Sequence, residues 1–112
     1  MNSTFVQFLG EFIGTFILIL LGNGIVCAVS LKKTKAEGAG WIAIAFGWGL
    51  AVMLGVYSSS FMSAAHLNPA VTIGMALIGN ISWSLVLPYI AGQFLGAMLA
   101  SFILWLFYYP HW

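Results

Sequence analysis

The run Ser63-Ala64-Ala65-His66-Leu67-Asn68-Pro69-Ala70-Val71-Thr72 concentrates the groups able to do chemistry in an otherwise apolar chain. Asn68 can cap a helix through its side chain. Pro69 suits the first helical position, where an N–H has no intrahelical partner anyway. From Pro69 to Ile78 the residues are apolar and helix-compatible, and Gly79-Asn80 supplies a stop. The helix this predicts has roughly ten residues and is about 15 Å long. The hydrocarbon core of a bilayer is about 30 Å thick, so such a helix crosses half of it and starts near the middle. There its first N–H groups and the positive end of its dipole have no water around them. Non-helical backbone at that depth must be buried in protein or line a polar cavity. Residues 63–67 would then present carbonyl acceptors, and the Asn68 amide would add donors. That is one wall of a narrow pore for a neutral, hydrogen-bonding solute. The alternative is a surface loop followed by a short amphipathic helix.

The surrounding chain must hold this stretch in place. Of its 112 residues, 62% are hydrophobic and 4% charged, with a mean hydropathy of +1.08. Soluble domains carry about 25% charged residues, so this chain cannot clothe a water-facing surface and reads as an integral membrane protein. Residues 1–10 hold no Lys or Arg and Glu11 interrupts the apolar run, unlike a signal peptide. Spans are predicted at about residues 5–31, 41–57 and 83–108, with a re-entrant loop and half-helix at 58–80. The only strongly polar stretch, residues 31–40 with three lysines and Glu37, is a loop that the positive-inside rule assigns to the cytoplasm. A net charge of +1 with no larger basic cluster excludes a nucleic-acid partner. The lone Cys27 allows no internal disulfide, the two histidines have no metal-ligand spacing, and no cofactor motif is present. The chain contains neither Asp nor Arg, and its polar groups do not form a nucleophile, base and orienter, so an enzyme is not expected.

Three residues inside the spans need an explanation. Glu11 is an ionisable group in the first span and should have a partner. It is either an acceptor for backbone N–H groups of the re-entrant loop or a proton or cation site; a non-helical loop near the midplane requires acceptors, which favours the first. Trp48 lies deeper than an interfacial belt residue, and either anchors to lipid or narrows a channel. His66 can bond through both ring nitrogens, bracing backbone or passing protons. Small residues recur at close-packing spacing in each span: Gly10 and Gly14, then Ala43, Gly47, Ala51 and Gly55, then Gly92, Gly96 and Ala100.

Gly10-Glu11-Phe12-Ile13-Gly14-Thr15-Phe16 resembles the first-span Glu-Phe-x-Gly-Thr signature of the aquaporin and aquaglyceroporin (major intrinsic protein) family. Trp48-Gly49-Leu50-Ala51-Val52 resembles the family's second span, residues 63–72 its first Asn-Pro-Ala loop, and residues 89–97 its third span. The likeness covers nearly the whole chain and is closest to the N-terminal half of bacterial glycerol facilitators. It implies an all-α membrane protein of three transmembrane helices plus one re-entrant half-helix, one half of the aquaporin inverted repeat. It implies that Asn68 donates to the solute at the pore's midpoint, followed by Pro69 and Ala70 of the motif. The carbonyls of Ala64, Ala65, His66 and Leu67 would line the inner vestibule. Glu11 would brace the loop, and Trp48 would belong to the aromatic constriction. Trp48, where water channels usually carry Phe, together with Leu67 points to glycerol, related small neutral solutes and water as permeants, with no cofactor. The expected home is the bacterial inner (plasma) membrane, with residues 31–40 outside, contrary to the charge rule.

The family has two such halves, whereas this chain has one Asn-Pro-Ala and lacks the constriction arginine. A lone half would leave Asn68 and the pore faces against lipid, with polar groups unsatisfied. The expectation is therefore a fragment, a truncated product, or a unit needing a second half-channel or self-association; the family itself forms tetramers. Two other readings compete. A proton-coupled exporter of the small dual-topology multidrug class shares the early membrane glutamate but has four full spans. A non-conducting product would only pack against complete channels.

Overall fold

The computed structural model describes residues 2–112. Four α-helices carry it: α1 (Thr4–Ser30), α2 (Trp41–Ser59), α3 (Pro69–Leu77) and α4 (Val86–Phe107). Single 3₁₀ turns at Trp83–Leu85 and Tyr109–His111 flank α4, and no strand occurs among the described residues. α1, α2 and the segment Trp83–Phe107 are long and apolar enough to cross a membrane. α3, with nine residues, is about 14 Å long and is not.

Helix ends follow local chemistry. The Ser3 hydroxyl accepts from Val6 N at 3.2 Å and opens α1. Asn68, in extended backbone, accepts from Ala70 N at 2.8 Å through its side-chain oxygen, and Pro69 occupies the first position of α3. Gly79, at φ +82°, closes α3. Its N–H donates to Ala76 O at 3.1 Å and that of Asn80 to Met75 O at 2.9 Å, the paired bonds that satisfy the last free carbonyls of a helix. α2 runs two residues beyond the expected 57, because the Ser59 hydroxyl folds back onto Gly55 O at 2.8 Å instead of breaking the helix. In the polar loop, Lys33 N donates to Glu37 Oε1 at 2.8 Å and Gly38 N to Val29 O at 2.9 Å, tying the loop to itself and to α1.

α1 packs against both α2 and α4, and α3 leans on α4. Glycines set these distances. A Cβ on Gly92 would fall 2.7 Å from Phe8 O, and one on Gly96 would meet Phe12 O and Phe16 N, so α4 lies directly on the backbone of α1. On the α2 side, a Cβ on Gly47 would meet Ile25, and one on Gly55 would lie 2.8 Å from Gly14 O. The Gly10–Gly14 pair serves both the helix approach its spacing suggests, at Gly14, and the loop ahead of α3. Gly10 faces Met62 and Ser63, and Gly14 faces Ser59 and Leu67. Together they clear room for the loop ahead of α3.

The interior mixes apolar side chains such as Ile44, Leu67 and Leu104 with polar ones, and the outside is largely apolar. Gln7, Glu11, Thr15, Ser59, Thr72 and Gln93 are buried, while Trp41, Ile42, Phe46, Leu87 and Phe107 stand exposed. Apolar side chains facing outward suit a surface in contact with lipid, and polar groups then belong in the interior of the bundle.

Candidate pore lining between α2 and α3

The loop between α2 and α3 is built around one carboxylate. Glu11 of α1 has no exposed surface. Its Oε1 accepts from Leu67 N at 2.9 Å and from Gln93 Nε2 at 2.7 Å. Its Oε2 accepts from Ser63 Oγ at 2.6 Å and from His66 N at 3.3 Å. Four donors, three of them on residues 63–67, therefore converge on one side chain. The remaining loop amides are also taken: Ala64 N donates to Tyr89 Oη at 3.0 Å and Ala65 N to Ser63 Oγ at 3.1 Å.

Every N–H from Ala64 to Leu67 thus has an acceptor within the protein. No donor among the described residues reaches the carbonyl oxygens of Ala64, Ala65, His66 or Leu67. This arrangement requires unusual backbone. Ala65 and Leu67 both adopt the left-handed region, at φ 53° and 55°, which costs a residue with a side chain roughly 1–2 kcal/mol. Strain of this kind persists only where surrounding bonds over-determine it, and here the amide bonds to Glu11, Ser63 and Tyr89 do so.

Asn68 continues the row. Its side-chain oxygen is spent on the α3 cap, so its Nδ2 group faces outward on an exposed residue without a partner among the described residues. Pro69 has no N–H, Ala70 gives its own to the cap, and Thr72 N donates to Asn68 O at 3.1 Å. Trp48 of α2 lies half-buried with its ring over Gly22 of α1, where any Cβ would collide with it. Trp48, Leu67, Asn68 and Pro69 share a cavity of about 370 Å³ with Thr15 and Gln93. Ser63 and Ala64 border a second recess of about 630 Å³, next to Gln7 and Tyr89.

His66 differs from the sequence expectation in what it touches. Its ring does not bond backbone; Nδ1 lies 2.9 Å from Thr72 Oγ1 on α3, and the ring packs on Tyr89 at a centroid distance of 5.1 Å. Ser63, Thr72, Tyr89 and Gln93 lie within the sequence motifs without a role read from them, and they complete the bracing of the loop. Their signal was available: Gln93 and Thr72 are polar residues within apolar helices, and such residues seek partners inside the bundle.

A family model described as Major intrinsic protein matches residues 2–111. The chain belongs to that family. Within it, the chain is 60% identical over 107 residues to "Glycerol uptake facilitator protein 3" of Lactiplantibacillus plantarum, covering 96% of this chain and 45% of that protein. It is 57% identical over 112 residues to a glycerol uptake facilitator protein of Streptococcus pneumoniae, covering 100% of this chain and 46% of the other. Among solved structures it is similar to the aquaglyceroporin from Plasmodium falciparum, with a TM-score of 0.84 and 34% identity over 96% of this chain and 43% of that one. The chain thus spans somewhat less than half the length of these relatives. As a major intrinsic protein with three spanning helices and a re-entrant half-helix, it is a multi-pass integral protein of the plasma membrane.

Proposed function

We propose that this chain forms one half of a passive transmembrane channel for glycerol, related small neutral solutes and water, and that it conducts together with a second half. The observation that carries this reading is the division of the 64–67 backbone, with amides engaged by Glu11, Ser63 and Tyr89 and carbonyls left open. A polyol moving along that row would exchange its water hydrogen bonds for carbonyl acceptors one at a time. At Asn68 it would meet a fixed donor, at the electropositive start of α3. Transport would run downhill without covalent chemistry. Breaking a continuous file of water donors and acceptors at Asn68 opposes proton passage. In this reading Trp48 narrows the path, Glu11 is structural support, and Pro69 and Ala70 shape the turn that presents the Asn68 amide. The names of the relatives support glycerol as permeant.

The need for a second half follows from exposure. Asn68, Ala64 and Ala70 are open on the surface of the chain, so the second half would have to supply the facing wall of the path. A multidrug exporter would need Glu11 free to exchange a proton against a cationic substrate, and its four accepted bonds speak against that use.

The test is glycerol-driven reswelling of proteoliposomes. Vesicles carrying this chain together with the C-terminal half of a glycerol facilitator should reswell faster than empty vesicles and than vesicles carrying that half alone. Equal rates in all three would overturn the proposal.

A further inference from the structure

The hydrogen bonds that meet at Thr72 leave one place for its hydroxyl hydrogen. Both Glu11 oxygens already accept bonds from the loop, so the Gln93 atom 2.7 Å from Oε1 is the amide nitrogen, not the oxygen. The same nitrogen lies 3.0 Å from Thr72 Oγ1 and delivers its second hydrogen there. The Thr72 oxygen is therefore an acceptor toward Gln93, and its own hydrogen must go elsewhere. Thr72 has no exposed surface, so water does not take it, and no bond to the carbonyl one turn back is present. The one acceptor in reach is His66 Nδ1, at 2.9 Å. We infer that Thr72 donates to His66 Nδ1, holds the imidazole as its Nε2–H tautomer, and thereby makes the ring a hydrogen-bond donor to solute at the carbonyl row.

The opposite tautomer would place a hydrogen on Nδ1 and strand that of the Thr72 hydroxyl in a buried site. His66 Nε2 has no partner among the described residues and is not among the buried unpaired atoms, so its hydrogen is accessible from outside the chain. Tyr89, packed on the ring and anchored through its hydroxyl to Gln7 Oε1 at 2.8 Å, holds the ring plane. The division of labour is that Tyr89 sets where the ring lies and Thr72 sets which nitrogen carries the hydrogen. A glycerol hydroxyl both donates and accepts, so a wall of carbonyls alone satisfies half of its capacity. A fixed N–H beside them answers the other half before the solute reaches Asn68. Thr72 is thus a positioning residue acting through His66. The functional meaning rests on the channel proposal, whereas the tautomer does not.

The test is ¹⁵N solid-state NMR of the histidine-labelled chain in lipid bilayers at about pH 8, above the ordinary imidazole range. His111 provides an internal contrast, since its Nδ1 lies 2.8 Å from Lys32 O and must carry the hydrogen. The expected result is an unprotonated Nδ1 and protonated Nε2 at His66, the reverse of His111. Thr72→Ser should keep that pattern, and Thr72→Val should give a mixture of tautomers. A protonated Nδ1 at His66 in the unsubstituted chain overturns the inference even if Thr72→Val fails to fold. So does a Thr72→Val variant that folds with the tautomer unchanged. In the conducting pair of halves, Thr72→Val should lower glycerol flux relative to water roughly fivefold, the effect of one neutral hydrogen bond, with Thr72→Ser restoring it. An altered tautomer with unaltered glycerol-to-water ratio would overturn the donor role. Absence of flux in every pair would instead overturn the channel proposal, leaving the resonances to decide the part played by Thr72.

Discussion

Replacing Glu11 by Gln is the most informative single change, because it keeps the shape of the side chain and removes one acceptor. Four donors currently point at two carboxylate oxygens. In the amide, one oxygen becomes a donor. It is best turned toward Ser63 Oγ, which can accept instead of donate, leaving the 3.3 Å bond from His66 N without an acceptor. An unpaired buried N–H costs about 1–3 kcal/mol, and each of the two bonds still accepted by the remaining oxygen, from Leu67 N and Gln93 Nε2, drops from the charged to the neutral class, losing about 1 kcal/mol. The sum, about 3–5 kcal/mol, is comparable to the roughly 2–4 kcal/mol of left-handed strain at Ala65 and Leu67 taken together. The loop should therefore open locally while α1 and α4, packed backbone to backbone at Gly92 and Gly96, stay closed. At 1.4 kcal/mol per tenfold, amide exchange at His66 and Leu67 should accelerate about a hundredfold or more, with protection in α1 and α4 retained. Unchanged exchange at those two amides would refute the claim that Glu11 holds the strained loop. Uniform loss of protection along the chain would refute the claim that the loop opens as its own unit.

Other outcomes follow from the same geometry. Asn68→Asp, which replaces the outward donor by an acceptor, should reduce glycerol flux in vesicles carrying both halves, and unchanged reswelling would count against its role. Ala65→Gly should be neutral or stabilising by about 1 kcal/mol in thermal unfolding, because glycine takes φ 53° without penalty; marked destabilisation would mean the backbone there is not left-handed. Gly96→Leu should cost at least about 1–3 kcal/mol, because its side chain meets the Phe12 and Phe16 backbone, which cannot yield like a flexible side chain. A thermal midpoint equal to that of the unsubstituted chain would contradict the α1–α4 contact.

The start of α3, and its end to within one residue, were readable from four residues. Asn68-Pro69 opens a helix and Gly79-Asn80 stops one by local rules that need no tertiary information, with α3 ending at Leu77 and Ile78 serving as its cap. The three spans were readable from length and hydropathy for a similar reason: lipid imposes the same demand on every residue. What a buried Glu11 wants was legible, since an acceptor in an apolar span needs donors. Which donors it finds was not, because Gln93 is 82 positions away in sequence and only the α1–α4 contact brings it near. The same limit applies to the Gly10–Gly14 pair: spacing predicts the close approach that α2 makes at Gly14, but not that Met62 and Ser63 of the loop press on Gly10. The left-handed backbone of Ala65 and Leu67 had no local signal at all, since neither residue type favours it. His66 was expected to brace backbone, but Glu11 had already claimed those amides and the ring turned to Thr72.

The central claim is that residues 64–67 turn their amides into the protein and their carbonyls to a polar path at membrane depth. Solid-state NMR of the ¹³C,¹⁵N-labelled chain in bilayers, assembled with its complementary half, reads both sides of that backbone in one sample. Magnetisation from water should reach the carbonyl carbons of Ala64 to Leu67 as quickly as it reaches those of the polar 31–40 loop, while the amides of His66 and Leu67 keep their hydrogens in D₂O. Dry carbonyls beside freely exchanging amides would contradict it.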